Sequence, residues 1–122
     1  SENIKTPEIK VSAADLDFEK LGGLLPVITQ DENSGTVLML AYANMEAVQK
    51  TQETGYAHYW SRSRNELWKK GDSSGHLQQI VEVLVDCDND TLVYKVHQFG
   101  PACHTGAPTC FFRKLKNKTI VK

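Results

Sequence analysis

The sequence predicts a mainly β domain of the α+β class, a twisted antiparallel or mixed sheet of pseudo-barrel-like curvature with one or two short helices. Three observations predict it. Two β-type runs flank a polar turn between Leu24 and Leu40. Two more, Ile80 to Val85 and Thr91 to Val96, flank the acidic run Asp-Cys-Asp-Asn-Asp. Between the pairs stands one well-punctuated helical pattern, opened by Asn44 and stopped by Gly55.

Taken in order, Ser1 to Lys10 is polar and carries a proline, so residues 1–11 read as a flexible segment and 12–122 as a single domain. Ser12 is placed to cap a short helix through Phe18. Leu-Leu-Pro-Val-Ile-Thr-Gln, the turn Asp31-Glu32-Asn33-Ser34-Gly35 and Thr-Val-Leu-Met-Leu form a hairpin. Asn44 as N-cap, Glu46 in the first turn and Gly55 as terminator predict a helix over Met45 to Thr54. From Gly55 the alternation puts Tyr56, His58, Trp60, Arg62 and Arg64 on one strand face, so bulk and positive charge share it. A loop from Lys69 to His76 leads to the second strand pair. The last third holds the Gly/Pro-rich segment Gly100 to Pro108, then Cys110-Phe111-Phe112-Arg113. No internal repeat or low-complexity tract is present.

With 122 residues and 40% hydrophobic content the chain builds one modest core and no second domain. A net charge of -1 gives no global field for a nucleic-acid backbone, so anion recognition must come from local clusters. No apolar run approaches a membrane span and no charged-then-apolar leader opens the chain, which predicts a soluble, cytoplasmic protein. Three cysteines cannot all pair within one chain, and a domain of this size does not need disulfides, so reduced thiols are expected.

Those thiols carry the first chemical signal. Cys103 and Cys110 bracket a loop containing His104, Gly106 and Pro108, and Cys87 sits between Asp86 and Asp88. A structural core cysteine seldom lies between carboxylates, which belong in water or against a cation, so a metal is favoured. Thiolates suit zinc, and three of them leave a fourth position for water, the mark of catalysis. Two alternatives stand beside this: a structural Cys₃His site closed by His104, and inert cysteines with no metal.

Asp86, Asp88 and Asp90 alternate as in a calcium loop, but Thr91 stands where that loop needs glycine and His97 where it needs glutamate. On their own they read first as a hairpin turn; three carboxylates near three thiolates would concentrate negative charge there, which a second cation, most simply Mg²⁺, would relieve. Arg62, Arg64, Lys69 and Lys70 accompany Trp60 and Trp68. They read either as a solvated strand face over core tryptophans or as a site for a phosphorylated base. In the second reading guanidinium forks grip phosphate, an indole stacks on a purine, and Ser73 and Ser74 add donors. Among the histidines, His104 is the most informative; His58 and His76 stay open between substrate binding and structure, and His97 reads as structural.

The runs Val37-Leu-Met-Leu-Ala-Tyr-Ala-Asn-Met-Glu-Ala, His58-Tyr-Trp-Ser-Arg-Ser-Arg, Leu67-Trp-Lys-Lys-Gly-Asp-Ser-Ser-Gly-His, Val85-Asp-Cys-Asp-Asn-Asp and Gly100-Pro-Ala-Cys-His-Thr-Gly, then Cys110-Phe-Phe, resemble the phosphoribosyl-AMP cyclohydrolase family. The resemblance runs from about Leu24 to Arg113, and several ordered blocks are far more specific than one motif. It implies a metal-dependent hydrolase of histidine biosynthesis that opens the adenine ring of N1-(5-phosphoribosyl)-AMP at the N1–C6 bond. It implies an intertwined homodimer in which Cys87 of one subunit joins Cys103 and Cys110 of the other on zinc, with magnesium at Asp86, Asp88 and Asp90. With the chain ending soon after Arg113, only the cyclohydrolase is expected, without the pyrophosphohydrolase domain fused to it in some bacteria.

Within that reading His104 is the expected catalytic base or proton relay. Trp60, Arg62, Arg64, Lys69, Lys70, Ser73, Ser74 and His76 are expected to bind a small nucleotide, with no nucleic acid or membrane as partner. The competing class is a non-catalytic zinc module presenting its basic-aromatic strand to nucleic acid or protein, which predicts four protein ligands and no exchangeable water. A nucleobase deaminase is disfavoured because the chain lacks His-x-Glu followed by Pro-Cys-x-x-Cys.

Overall fold

The computed structural model describes residues 8–116. Part of the expected N-terminal segment, residues 1–7, and the end of the expected domain, residues 117–122, lie outside the described residues. The helix expected from Ser12 to Phe18 is instead a 3-10 turn over Ala13–Asp15, followed by a second over Glu19–Leu21. The Asp15 carboxylate accepts from the Ser12 amide at 3.0 Å, closing the cap within one turn, and Leu16 is already extended. Gly22, at φ 71°, ends the second turn.

Strands β1 (Leu25–Asp31) and β2 (Val37–Ala43) form the expected antiparallel hairpin. Its turn is closed by the Asp31 carboxylate, which accepts from the Ser34 amide at 2.8 Å and the Ser34 hydroxyl at 3.0 Å. Helix α1 (Met45–Thr54) has the predicted bounds. Asn44 Oδ1 accepts from the Ala47 amide at 2.9 Å, a cap worth about 1 kcal/mol, and Gly55 adopts the left-handed conformation, φ 79°.

The next region departs from expectation. The strand carrying Trp60 stops at Ser61, giving β3 (His58–Ser61), and turns back into a short β4 (Glu66–Lys69). Ser61 Oγ accepts from the Arg64 amide at 3.2 Å and Asn65 takes φ 54°, so local turn chemistry outcompetes strand propagation. Arg62 and Arg64 therefore sit in a turn rather than on a strand face with Trp60. β5 (Gln78–Val85) and β6 (Leu92–Gln98) then pair antiparallel across the acidic run, as expected.

The main sheet has the order β2-β1-β6-β5, with β1 and β6 parallel, so it is mixed. Among the described residues, β3 and β4 pair only with each other, and one isolated bridge, Tyr56 to Gln79, joins the segment before β3 to β5. The two sheets do not close, which corrects the pseudo-barrel expectation: β2 and β5 remain edges of the four-stranded sheet.

One face of this sheet holds the core, with Leu25 and Val27 of β1 and Leu92, Tyr94 and Val96 of β6 all nearly inaccessible beneath α1 and β3–β4. Tyr59 is fully buried there, its ring centroid 5.0 Å from Trp68 and 5.6 Å from Tyr94. A phenol so buried requires partners: Thr29 donates to its oxygen at 2.7 Å and it donates to Gln78 Oε1 at 2.6 Å. Thr51 ties α1 to β3 by donating to Ala47 O and accepting from the His58 amide. On the opposite face, cross-strand register aligns Leu40, Ile28, Val93 and Leu84 in one apolar row, its two ends exposed. Among the described residues, no helix is long and apolar enough to cross a membrane.

Candidate metal centres and active site

The acidic run becomes a tight turn between β5 and β6. Asn89 takes φ 65°, and Asp86 Oδ1 accepts from the amides of Asp90 at 3.0 Å and Thr91 at 3.2 Å. This folding brings one carboxylate oxygen from each of Asp86, Asp88 and Asp90 within 4.8 Å of one another. Three anions so close need a cation. Lys20 supplies one, its ammonium 3.2 Å from Asp88 Oδ2 and 2.9 Å from Asp90 Oδ2. That hydrogen bond holds the Asp90 carboxyl down at about 2 and pushes the Lys20 ammonium above the ordinary lysine range. Three hard carboxylate oxygens fit a hard cation such as Mg²⁺ rather than zinc. Sequence reasoning assigned Lys20 nothing; no local signal links it to carboxylates about seventy positions away.

The thiols gather at the other end of β6. The segment after Gln98 doubles back, with the Ala102 amide donating to Pro108 O and Cys103 to Ala107 O. Cys110 is pinned to β2 through its amide, which donates to Leu38 O at 2.7 Å. Cys103 is only 8% exposed, and the Thr105 hydroxyl donates to its Sγ at 3.1 Å, lowering its pKa. Cys110 is exposed as a residue, yet crowding of its sulfur and the neighbouring Cys103 push its thiol up. One thiol of the pair is thus biased towards thiolate, as a soft metal requires.

His104 is exposed and lines the same open depression as Cys103 and Cys110, together with Phe111, Phe112 and Arg113. Arg113 is a cation beside the thiols that sequence reasoning did not single out; its place directly after Cys110-Phe-Phe was the available signal. Cys87 is exposed in the acidic turn and joins no ligand group with the other two among the described residues. The seven residues of β6 span roughly 20 Å between the two turns. One chain therefore presents an oxygen triad with Cys87 at one end of the sheet and the two thiols Cys103 and Cys110 at the other.

The proposed nucleotide-binding residues scatter along β3, β4 and the loop after them. Trp60 and Trp68 are both half-buried, and Trp68 packs against the core with its ring tilted by 34° to Tyr59. The Arg62 guanidinium lies 4.0 Å above the Tyr42 ring, and Arg64 Nε lies 3.6 Å from Glu66. The Lys69 ammonium faces the Tyr56 ring at 5.2 Å. Lys70 donates to Ala102 O at 2.6 Å, so it braces the thiol loop and favours the charged form of both thiols. Ser73 and Ser74 are exposed, and Ser74 Oγ accepts from the His76 amide. His76 is held against Gly100, where an added Cβ would lie 2.6 Å from its ring. His58 is buried with Nδ1 2.8 Å from Tyr56 O, and His97 stands edge-on to Phe99 at 4.7 Å.

The family model described as phosphoribosyl-AMP cyclohydrolase matches residues 39–112. Relatives bearing that same name include a protein of Methanoregula boonei, 60% identical over 99 residues, covering 81% of this chain and 80% of its own. That of Streptococcus mutans is 60% identical over 102 residues, 84% of this chain and 94% of its own. That of Archaeoglobus fulgidus is 56% identical over 106 residues, 87% and 97% respectively.

Proposed function

The chain belongs to the phosphoribosyl-AMP cyclohydrolase family and is an enzyme acting on a small nucleotide; from that premise we propose that it opens the adenine ring of N1-(5-phosphoribosyl)-AMP hydrolytically at two metals. The observation that carries the reading is the depression shared by Cys103, His104 and Cys110. It supplies two soft ligands, one biased to thiolate, beside an exposed imidazole.

In this reading Cys103 and Cys110 hold zinc together with Cys87 of a second copy, and Asp86, Asp88 and Asp90 hold magnesium. Zinc supplies Lewis acidity that makes water a competent nucleophile near neutral pH. The residues do the rest. Lys70, anchored on Ala102, fixes the thiol loop and offsets part of its negative charge. His104 takes a proton from the attacking water as its oxygen bonds to C6, and the same proton is returned to N1 as the N1–C6 bond breaks. C6 becomes the carboxamide carbon as the second water hydrogen passes to the exocyclic nitrogen, and the electron pair of the broken bond stays on N1, where the returned proton binds. Ribosylation at N1 makes that bond the weak one. Arg62, Arg64, Lys69, Ser73, Ser74 and His76 orient the phosphates and ribose, and Trp60 stacks on the base.

A homodimer follows from the same argument, because neither end of a single sheet holds a full zinc site. The row Leu40–Ile28–Val93–Leu84 offers an apolar surface suited to cover by a second copy. The test is ultraviolet turnover of N1-(5-phosphoribosyl)-AMP before and after zinc-selective chelation, and again with zinc restored. Loss and recovery are expected. No turnover by zinc-loaded dimer supplied with magnesium would reject the reaction.

A further inference from the structure

Lys20 lies outside the span matched by the family model, and the reaction above does not use it. Resting on the magnesium reading of the acidic turn, we propose that Lys20 is a tethered competitor of the divalent cation: its ammonium offsets part of the charge of Asp88 and Asp90, and it must leave Asp90 before the cation can bind there.

The argument starts from the lone pairs. Asp86 has Oδ1 committed to two backbone amides, and no hydrogen bond engages its Oδ2 among the described residues. Asp90 differs, because Thr91 donates to Oδ1 at 3.2 Å and Lys20 to Oδ2 at 2.9 Å. A hard dication coordinates carboxylate oxygen at roughly 2.0–2.1 Å and demands near-octahedral ligands. An ammonium on the same carboxylates repels it and blocks the oxygen it needs. At Asp86 the cation finds a ligand without breaking a contact; at Asp90 it does not.

Lys20 is delivered by a built segment rather than by a free side chain. The Asp17 amide donates to Asn89 O at 2.8 Å, and Asn89 Nδ2 donates to Asp15 O at 3.2 Å. The Lys20 amide itself donates to Asp17 Oδ1 at 3.3 Å. Residues 15–20 therefore clasp the acidic turn through backbone contacts on Asn89, the residue between two of the expected ligands. These bonds fix the Lys20 backbone beside the turn, so only its side chain remains to be ordered and competition is stronger than that of a free lysine in solution. The clasp has a consequence for selectivity: a cation too weak to displace an ammonium leaves the turn closed.

The experiment measures Mn²⁺ binding to the full-length, zinc-loaded protein by electron paramagnetic resonance, for wild type, Lys20→Met, Lys20→Arg and Asp90→Asn. Lys20→Met is expected to bind Mn²⁺ about three- to tenfold more tightly, the scale of one or two exposed ion pairs removed. Lys20→Arg, which keeps the charge, should stay near wild type, and Asp90→Asn should bind more weakly than either. Mn²⁺ should also raise the melting temperature of Lys20→Met more than that of wild type. Equal or weaker binding by Lys20→Met overturns the competition while leaving the magnesium reading intact. If Mn²⁺ binds neither wild type nor Lys20→Met, or binds Asp90→Asn as well as wild type, the magnesium reading falls and the competition with it.

Discussion

The acidic turn and the thiol loop lie at opposite ends of β6 and are built in opposite ways. Asp86, Asp88 and Asp90 come from one stretch of five residues, so a single turn with Asn89 in the left-handed region converges their oxygens. Cys103 and Cys110 converge only because the segment after β6 folds back and is pinned to β2 through Leu38. The carboxylates all come from one chain and lie mostly exposed; of the two thiol residues, Cys103 is buried and Cys110 exposed. Side chains close in sequence are gathered by loop geometry alone, whereas distant ones need the whole sheet to bring them together.

The sharpest way to break this comparison is subunit complementation. Cys87→Ala, Asp90→Asn and Cys103→Ser should each lower turnover by more than about 100-fold. After denaturation and co-refolding at equal amounts, Cys103→Ser with either of the others should recover about one quarter of wild-type activity. Half the dimers are then mixed, with one intact site of two. Cys87→Ala with Asp90→Asn should recover nothing, since both defects lie at the same end of the chain. Absence of recovery from all three mixtures would place the thiols and the acidic turn in one half-site and sink the comparison.

A smaller effect sharpens the thiol end. Thr105→Val removes the hydroxyl that lowers the Cys103 pKa, and zinc affinity should fall about tenfold, read by competition with a chelating dye. Unchanged affinity would show that the hydroxyl only shapes the turn. Arg62→Ala, distant in sequence from both centres, should raise KM several-fold with kcat nearly constant, because uniform binding is lost. An unchanged KM removes Arg62 from the nucleotide site.

The smallest effect concerns pH. Asp31 closes the β1–β2 turn, and the Ser34 amide holds its carboxyl below the usual carboxylate range. Its folded-state pKa is depressed, so the stability it adds is present above the unfolded value near ~4 and is lost as pH falls through the folded one. Asp31→Asn should therefore melt slightly lower than wild type at pH 7, and the gap should close at acid pH. A gap that persists below pH ~2 would assign the effect to side-chain geometry rather than charge.

How much was legible differs between the same regions. Helix α1 was readable to its ends because Asn44 and Gly55 mark them through short-range hydrogen bonding and left-handed backbone. The hairpin β1–β2 and the pair β5–β6 were readable from apolar runs around turn residues. The stretch from Tyr56 to Arg64 was misread, since alternation alone cannot show that Ser61 and Asn65 turn the chain. The buried role of Tyr59 was hidden for a related reason: Thr29 and Gln78, its partners, lie about thirty and nineteen positions away. Arg113 was within reach of a reader of Cys110-Phe-Phe, but Lys20 was not.

The sequence by itself determined the family and most elements, because motif blocks, caps and turn residues act over a few positions. Tertiary structure alone decided that β1 and β6 run parallel, that the sheets stay open, and that Lys20 reaches Asp90. It also decided that Cys87 stands apart from Cys103 and Cys110. These depend on which distant surfaces pack together, and that is set by burial of the whole core rather than by any local pattern.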